Sequence, residues 1–366
     1  IDADNKVTLS APHSEMGQGA HTALTQMLAD ELDARWEDVA YMEAPAIDEY
    51  ANWALGKGFI LGNADIPRAL VPTVDGLFLQ VAKGMKLQIT GGSTSIRATG
   101  VYGVRVAGAA ARELLLSAAS EEWGVPAADL NAVDTHVGDR TSGRKAPFAD
   151  FAVAAAQSKP SASPKLKSPD QFKIMGTSRP RLDVPSKVDG TAMFGIDATV
   201  DGMKYAAIQA APVFGATLVS VDASKAVTMP GVFKVVTLDD AVAVVAEGYW
   251  QASQALRALS VEWSATENDT RSTDNLFDDF ERDLATAMND GSSKADVTVG
   301  DVRRVMADAA ASIDATYRVP YLAHACMEPM NATARVGSEH CDVWVGTQNP
   351  LGFRYEVDAA MDMDVE

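Results

Sequence analysis

The run Ser14-Glu15-Met16-Gly17-Gln18-Gly19-Ala20-His21-Thr22 sets two glycines around one glutamine, directly before a helix-forming pattern. Glycine has no Cβ, so Gly17 and Gly19 let the backbone come close to a ligand. A helix N-terminus presents N–H groups and a positive dipole end, which suit a phosphate or another anion. Gln18 adds an amide that can both donate and accept. The same stretch also reads as an ordinary loop before an amphipathic helix, because loops of this kind are weak signals alone.

A second run repeats the arrangement. Thr90-Gly91-Gly92-Ser93-Thr94-Ser95-Ile96-Arg97 sets glycines and three hydroxyls before another helical pattern. Those hydroxyls serve equally as helix caps or as phosphate ligands. Near the far end, Glu328 lies between Met327 and Pro329, and Gln348 follows a strand pattern and precedes Asn349-Pro350. Glu328 could act as a general base, but a structural carboxylate bonded to backbone is the favoured reading. Gln348 occupies an ordinary turn position. The five histidines are scattered without metal-ligand spacing, and His324 is expected in a satisfied core position. No GxSxG, GxGxxG, Walker or HExxH signature occurs.

The elements that must position these residues follow from periodicity. Val7, Leu9 and Ala11 alternate as a strand over Asp4–Pro12, and Trp36–Met42 reads as another. Between them, Ala23, Leu24, Met27, Leu28 and Leu32 share one helical face. Residues 44–88, with prolines at 45, 67 and 72, read as an irregular surface excursion. Val101, Val104, Ala107, Gly108, Ala111, Leu114 and Leu115 give the second helix its apolar face. Residues 157–168, rich in Ser, Pro and Lys, form the clearest linker. Beyond Arg181, short apolar runs at 193–200, 204–211, 232–237 and 241–246 alternate with turn signals. A helix is expected over 250–261, an amphipathic segment over 276–288, and strands at 315–319 and 341–345.

Composition narrows the function classes. The chain has 366 residues, 47% of them hydrophobic, and a net charge of −19. The length suggests roughly two or three domains. Such acidity, without a basic patch, argues against a nucleic-acid partner. No apolar run approaches the roughly 18 residues of a membrane span. Two cysteines, Cys326 and Cys341, cannot supply the four thiolates of an iron–sulfur cluster. A secretory leader is absent from the given sequence, which starts at Ile1 and looks processed.

Taken together, Glu15-Met16-Gly17-Gln18-Gly19 with His21-Thr22, Thr90-Gly91-Gly92-Ser93-Thr94-Ser95, Met327-Glu328-Pro329-Met330-Asn331 and Thr347-Gln348-Asn349-Pro350 resemble the molybdopterin-binding large subunit of the xanthine oxidase superfamily. Their order is that of the isoquinoline 1-oxidoreductase beta-subunit branch, which includes large subunits of some bacterial aldehyde dehydrogenases. The stretch from Arg181 to Gly190 resembles the start of that branch's hammerhead domain.

The resemblance implies an α+β fold: a molybdenum-cofactor-binding domain in discontinuous parts, residues 1–165 and 266–366, plus an α/β hammerhead domain over 175–265. It implies that Gly17, Gln18 and Gly19 line the pterin and its phosphates. Gly92, Ser93, Thr94 and Ser95 would bind the pyrophosphate of a cytosine dinucleotide form, and Gln348 would lie near molybdenum. No side chain of this chain would ligate the metal. The implied reaction is hydroxylation of an aldehyde or N-heteroaromatic with water as oxygen source. Electrons would leave through [2Fe-2S] clusters of a small partner subunit towards an acceptor such as a cytochrome. The catalytic glutamate is expected on another polypeptide, the C-terminal complement, against which the end at Glu366 should lie as a strand edge. The implied compartment is the periplasm, with the cytoplasm as the alternative. A non-catalytic scaffold and a phosphoanion-binding protein of the same fold are the rival readings.

Overall fold

The computed structural model describes residues 1–61, 65–290 and 297–361, with the side chains of 68, 92–95 and 288–290 outside that description. Contacts divide the chain into two units, Ile1–Gly195 with Trp344–Glu366, and Ile196–Val343.

In the first unit β1 (Val7–Ala11) runs parallel to β2 (Val39–Glu43), with Val7 opposite Val39 and Ala11 opposite Glu43. Parallel neighbours need a crossover, and α1 (Ala20–Leu32) supplies it. Of the expected helical face, Leu24, Leu28 and Leu32 are buried and Ala23 and Met27 half-buried, and Ala29 is buried besides. The expected strand over 36–42 opens instead as a 3-10 turn, Trp36–Asp38, and only then extends.

The excursion expected over 44–88 is corrected. It contains α2 (Trp53–Leu61) and α3 (Val71–Gly84). Pro72 falls in the first turn of α3, where its missing N–H has no intrahelical role to lose. Next, α4 (Gly92–Thr99) runs through a π-helical turn, Gly100–Val104, into α5 (Arg105–Trp123). Gly108 lets α5 approach α1 closely, because a Cβ there would sit 3.1 Å from the Leu28 carbonyl oxygen and 3.0 Å from Glu31 Cβ. The strands β3 (Leu130–Val133), β4 (His136–Asp139) and β5 (Lys145–Pro147) form an antiparallel sheet. After it, α6 (Phe148–Ala156) buries Phe148 and Phe151 in the same core as α1 and α5. Residues 159–168, within the stretch expected as a linker, carry no helix or strand and lie inside the first unit. The expected hammerhead start becomes α7 (Val184–Asp189), within this first unit.

The second unit is built on β6 (Tyr205–Ala210), β7 (Leu218–Asp222), β8 (Val232–Thr237) and β9 (Ala241–Ala246). β9 is flanked antiparallel by β6 and β8, and Ala252 and Ala255 of α8 (Tyr249–Leu256) are buried in its small core. The helix expected over 250–261 stops early, because β10 (Ser260–Trp263) pairs antiparallel with β7. Then come α9 (Thr273–Asp290), α10 (Val302–Ala307), β11 (Ala332–Val336) and β12 (Cys341–Val345), the last two paired. The runs expected as strands at 193–200 and 315–319 form none among the described residues. The chain then returns to the first unit with α11 (Pro350–Met361). The last described element is therefore a helix and not the expected strand edge, and Glu366 lies outside the described residues. No described helix is long and apolar enough to cross a membrane.

Candidate functional site

Three stretches far apart in sequence meet in the first unit. The Ser14 hydroxyl donates to the Thr347 carbonyl at 2.9 Å, and the Ser14 N–H donates to Thr90 Oγ1 at 2.8 Å. Thr90, which is buried, donates its N–H to the Gln348 carbonyl at 2.7 Å. The Gln348 side-chain amide returns the bond to the Thr90 carbonyl at 3.0 Å. Beside this pair, the Gln88 N–H donates to Asn349 Oδ1 at 2.8 Å. The loop opening α1, the segment leading into α4 and the turn before α11 are thus one hydrogen-bonded cluster. Thr347 and Asn349 also line a cavity of about 400 Å³ with Lys86, Phe353 and Tyr355.

The glycine loop is shaped from within. Gly19 is the N-cap of α1 at φ 84°, and glycine has no side chain with which to cap. Glu15 takes that role: its Oε1 accepts from Gly17 N–H at 2.8 Å and Gly19 N–H at 2.9 Å, and its Oε2 accepts from His21 N–H at 3.2 Å. Gln18 also bonds inside the loop, accepting from Met16 N–H at 2.6 Å and donating to the Ser14 carbonyl at 2.9 Å. The loop tip, Met16 to Gln18, is exposed. Gly92 opens α4 directly after this cluster; the side chains of Ser93, Thr94 and Ser95 lie outside the described residues.

A strap holds the loop from the other side. Arg181 donates to the Gly17 carbonyl at 2.8 Å and contacts Glu15 Oε1 at 3.2 Å. Its guanidinium also grips Asp183 through two bonds, at 3.0 and 2.7 Å, and Lys187 reaches the same carboxylate at 2.6 Å. These cations, Arg181 first, hold the Asp183 carboxyl well below the usual carboxylate range. Leu182 N–H donates to Thr22 Oγ1 on α1 at 3.0 Å.

Below the loop, His13 and His21 are both buried. His13 Nε2 lies 2.8 Å from Thr99 Oγ1, and His21 Nε2 lies 2.7 Å from the His13 carbonyl. Burial pushes the His13 imidazole down from 6.5 to about 4, and the neighbouring His21 adds to the shift. A histidine lowered in the folded state binds fewer protons there than when unfolded, so its contribution is full above pH 6.5 and is lost as pH falls from 6.5 towards 4. The expected loss from this group is about 3 kcal/mol. Urea midpoints of the wild type and His13→Gln should diverge across that window; parallel curves would remove His13 as the cause.

The remaining sequence candidates sit elsewhere. Glu328 lies in the second unit, where its Oε1 accepts from the Ile196 N–H at 3.4 Å, the backbone bond of its structural reading, and from the Asn331 side-chain amide at 3.1 Å. His324 is exposed, contrary to the expected core position. Cys326 and Cys341 are free thiols. No metal-binding group of three or more His, Cys, Asp or Glu occurs among the described residues. Sequence reading missed Glu15, Thr90 and Arg181 as organisers of the site. The available signal was an N-cap glycine that needs a capping group from elsewhere.

In this chain of mixed helices and strands, two helix-opening loops and a turn thus share one polar cluster. Residues 286–366 match the family model described as the molybdopterin cofactor-binding domain. Across 96% of its length the chain is 30% identical to the beta subunit of isoquinoline 1-oxidoreductase from Brevundimonas diminuta, of which it covers 46%. A nicotinate dehydrogenase subunit of Pseudomonas putida matches at 27% identity over 96% of this chain and 27% of its own length. At 27% identity a membrane-bound aldehyde dehydrogenase of Gluconacetobacter polyoxogenes, named for pyrroloquinoline quinone, matches 91% of this chain and 40% of its own length. Aldehyde oxidoreductase from Desulfovibrio gigas superposes with a TM-score of 0.23 at 15% identity, over 66% of this chain and 24% of that one, too low to carry a fold argument. The chain is thus similar over most of its length to parts of these oxidoreductases, and its residues 286–366 to a molybdopterin cofactor-binding domain. It spans less than half the length of these curated relatives.

Proposed function

We propose that this chain contributes part of the cofactor site of a molybdenum hydroxylase acting on an aldehyde or an N-heteroaromatic compound. The observation that carries the reading is the bonding of Ser14, Thr90 and Gln348 into one cluster. It joins three of the motifs on which the resemblance rests. The donor chemistry fits a pterin dinucleotide in one orientation. The N–H groups of Gly17, Gly19 and His21 are already bonded to Glu15, so Gly17, Gln18 and Gly19 would line the uncharged pterin. Gly92, Ser93, Thr94 and Ser95, opening α4, would hold the pyrophosphate of a cytosine dinucleotide form. Gln348, fixed by Thr90, would stand on the molybdenum side. When bound, the cofactor supplies the two-electron oxidation, with water as the source of oxygen. This chain's residues bind and orient it.

A complementary polypeptide with the general-base glutamate, a small [2Fe-2S] subunit and an acceptor such as a cytochrome would complete the assembly. The α+β segment over 175–265 is read as the hammerhead domain, and the periplasm as the compartment. Metal analysis, pterin release and intact masses on the complex purified from its source test the reading. About one molybdenum with several irons per complex is expected. A bound quinone without molybdenum would replace this cofactor with the one in the third relative's name. A metal-free single polypeptide would leave the scaffold or phosphoanion-binding reading.

A further inference from the structure

We propose that Glu15 decides what the glycine loop accepts: its carboxylate, clamped by Arg181, fills the anion seat of α1, so the loop takes an uncharged, hydrogen-bonding part of a ligand and excludes phosphate. The inference deepens the proposed function and rests on its reading of this loop as part of the cofactor site.

Three N–H groups that would otherwise face a bound anion converge on one side chain, those of Gly17, Gly19 and His21. The Glu15 side chain is only 5% exposed, and Arg181 Nη2 lies 3.2 Å from Oε1. These are donors that a phosphate would use, already taken by a carboxylate with charge-assisted bonds. An incoming phosphate would have to displace it or lie against a second negative charge. The arrangement is also braced. Arg181 is held to Asp183, Asp183 to Lys187, and Leu182 N–H to Thr22 Oγ1. Moving Glu15 aside would therefore disturb the strap as well as the loop. What the loop leaves outward is its tip, Met16 to Gln18, with backbone able to approach a flat ring closely at Gly17.

The test is a titration of this chain with pyrophosphate, followed by the backbone amide signals of Gly17, Gly19 and His21. In the wild type these signals should not saturate at millimolar pyrophosphate; saturation there overturns the proposal without reference to any variant. Glu15→Gln and Glu15→Ala empty the seat of charge while Arg181 remains. Either should bind pyrophosphate at those amides about tenfold more tightly than the wild type. Glu15→Ala combined with Arg181→Ala should lose the gain. A residue with a merely structural role would lower the melting temperature and create no new anion site, so folded variants that gain no binding also overturn the proposal. Pyrophosphate binding needs no molybdenum, so the outcome is independent of the metal content that tests the proposed function.

Discussion

Replacing Glu31 with alanine is expected to destabilise the first unit by about 3–5 kcal/mol. Glu31 is fully buried in the last turn of α1. Its Oε1 takes Arg105 Nε at 2.8 Å, its Oε2 lies 3.7 Å from Arg112 Nη1, and the same oxygen accepts from Lys167 N–H at 3.1 Å. Arg112 also donates to the Glu31 carbonyl. Both arginine side chains are largely buried, at 15% and 13% exposure. Alanine would leave two cations in the interior with no facing carboxylate, and that penalty exceeds the worth of the original attraction. The melting midpoint should fall by roughly 10 °C. Glu31→Gln keeps the acceptor oxygen and should cost less than alanine, though the cations stay unbalanced. A loss under about 1 kcal/mol for alanine, the scale of an exposed pair, would show that the cluster is solvated in solution.

One residue earlier, Asp30→Ala should cost about 3 kcal/mol and release the segment that follows the linker. Asp30, 1% exposed, accepts from three successive backbone N–H groups: Lys173 at 3.1 Å, Ile174 at 3.1 Å and Met175 at 2.8 Å. Lys167 Nζ lies 3.5 Å from its other oxygen and also donates to its main-chain carbonyl. Without the carboxylate, those N–H groups lose their partner where water reaches poorly. Limited proteolysis should then cut between residues 159 and 180 faster than in the wild type, while far-ultraviolet circular dichroism stays near native. An unchanged cleavage rate would mean that Gln26, which donates to the Ile174 and Thr177 carbonyls, suffices to hold the segment.

Much of this architecture was legible. The Leu24, Leu28 and Leu32 spacing marks α1 because its apolar residues recur at helical intervals, although the helix is buried on most of its sides, and the β6, β8 and β9 strands declare themselves through apolar runs between turn signals. The α2 helix stayed hidden because Trp53–Leu61 is apolar nearly throughout, with glycines at 56 and 58, and so shows no period. The α3 helix was masked by Pro72, which breaks a helix interior but suits its first turn. Alternation at 315–319 misled, since an alternating run becomes a strand only where a neighbour offers a ladder.

At the site, the motifs themselves were visible. Their bonding was not, because Ser14, Thr90 and Gln348 meet across separations that periodicity cannot sense. Three N–H groups around the start of α1 are taken for a local reason. Glu15 is close enough in sequence to turn back on the loop, and an unfilled N-cap invites it to do so.

The placement of Gln348 carries a consequence for how the protein is made. The cluster joins residues 13–22 and 88–92 to 347–349, yet the second unit is inserted in sequence between those partners. A ribosome adding about 5–20 residues per second needs on the order of ten seconds or more to cross that insertion. Throughout that interval the loops before α1 and α4 exist without their third member. The three-part cluster therefore closes only after the whole insertion has been synthesised, so its hydrogen bonds form late in the life of the nascent chain.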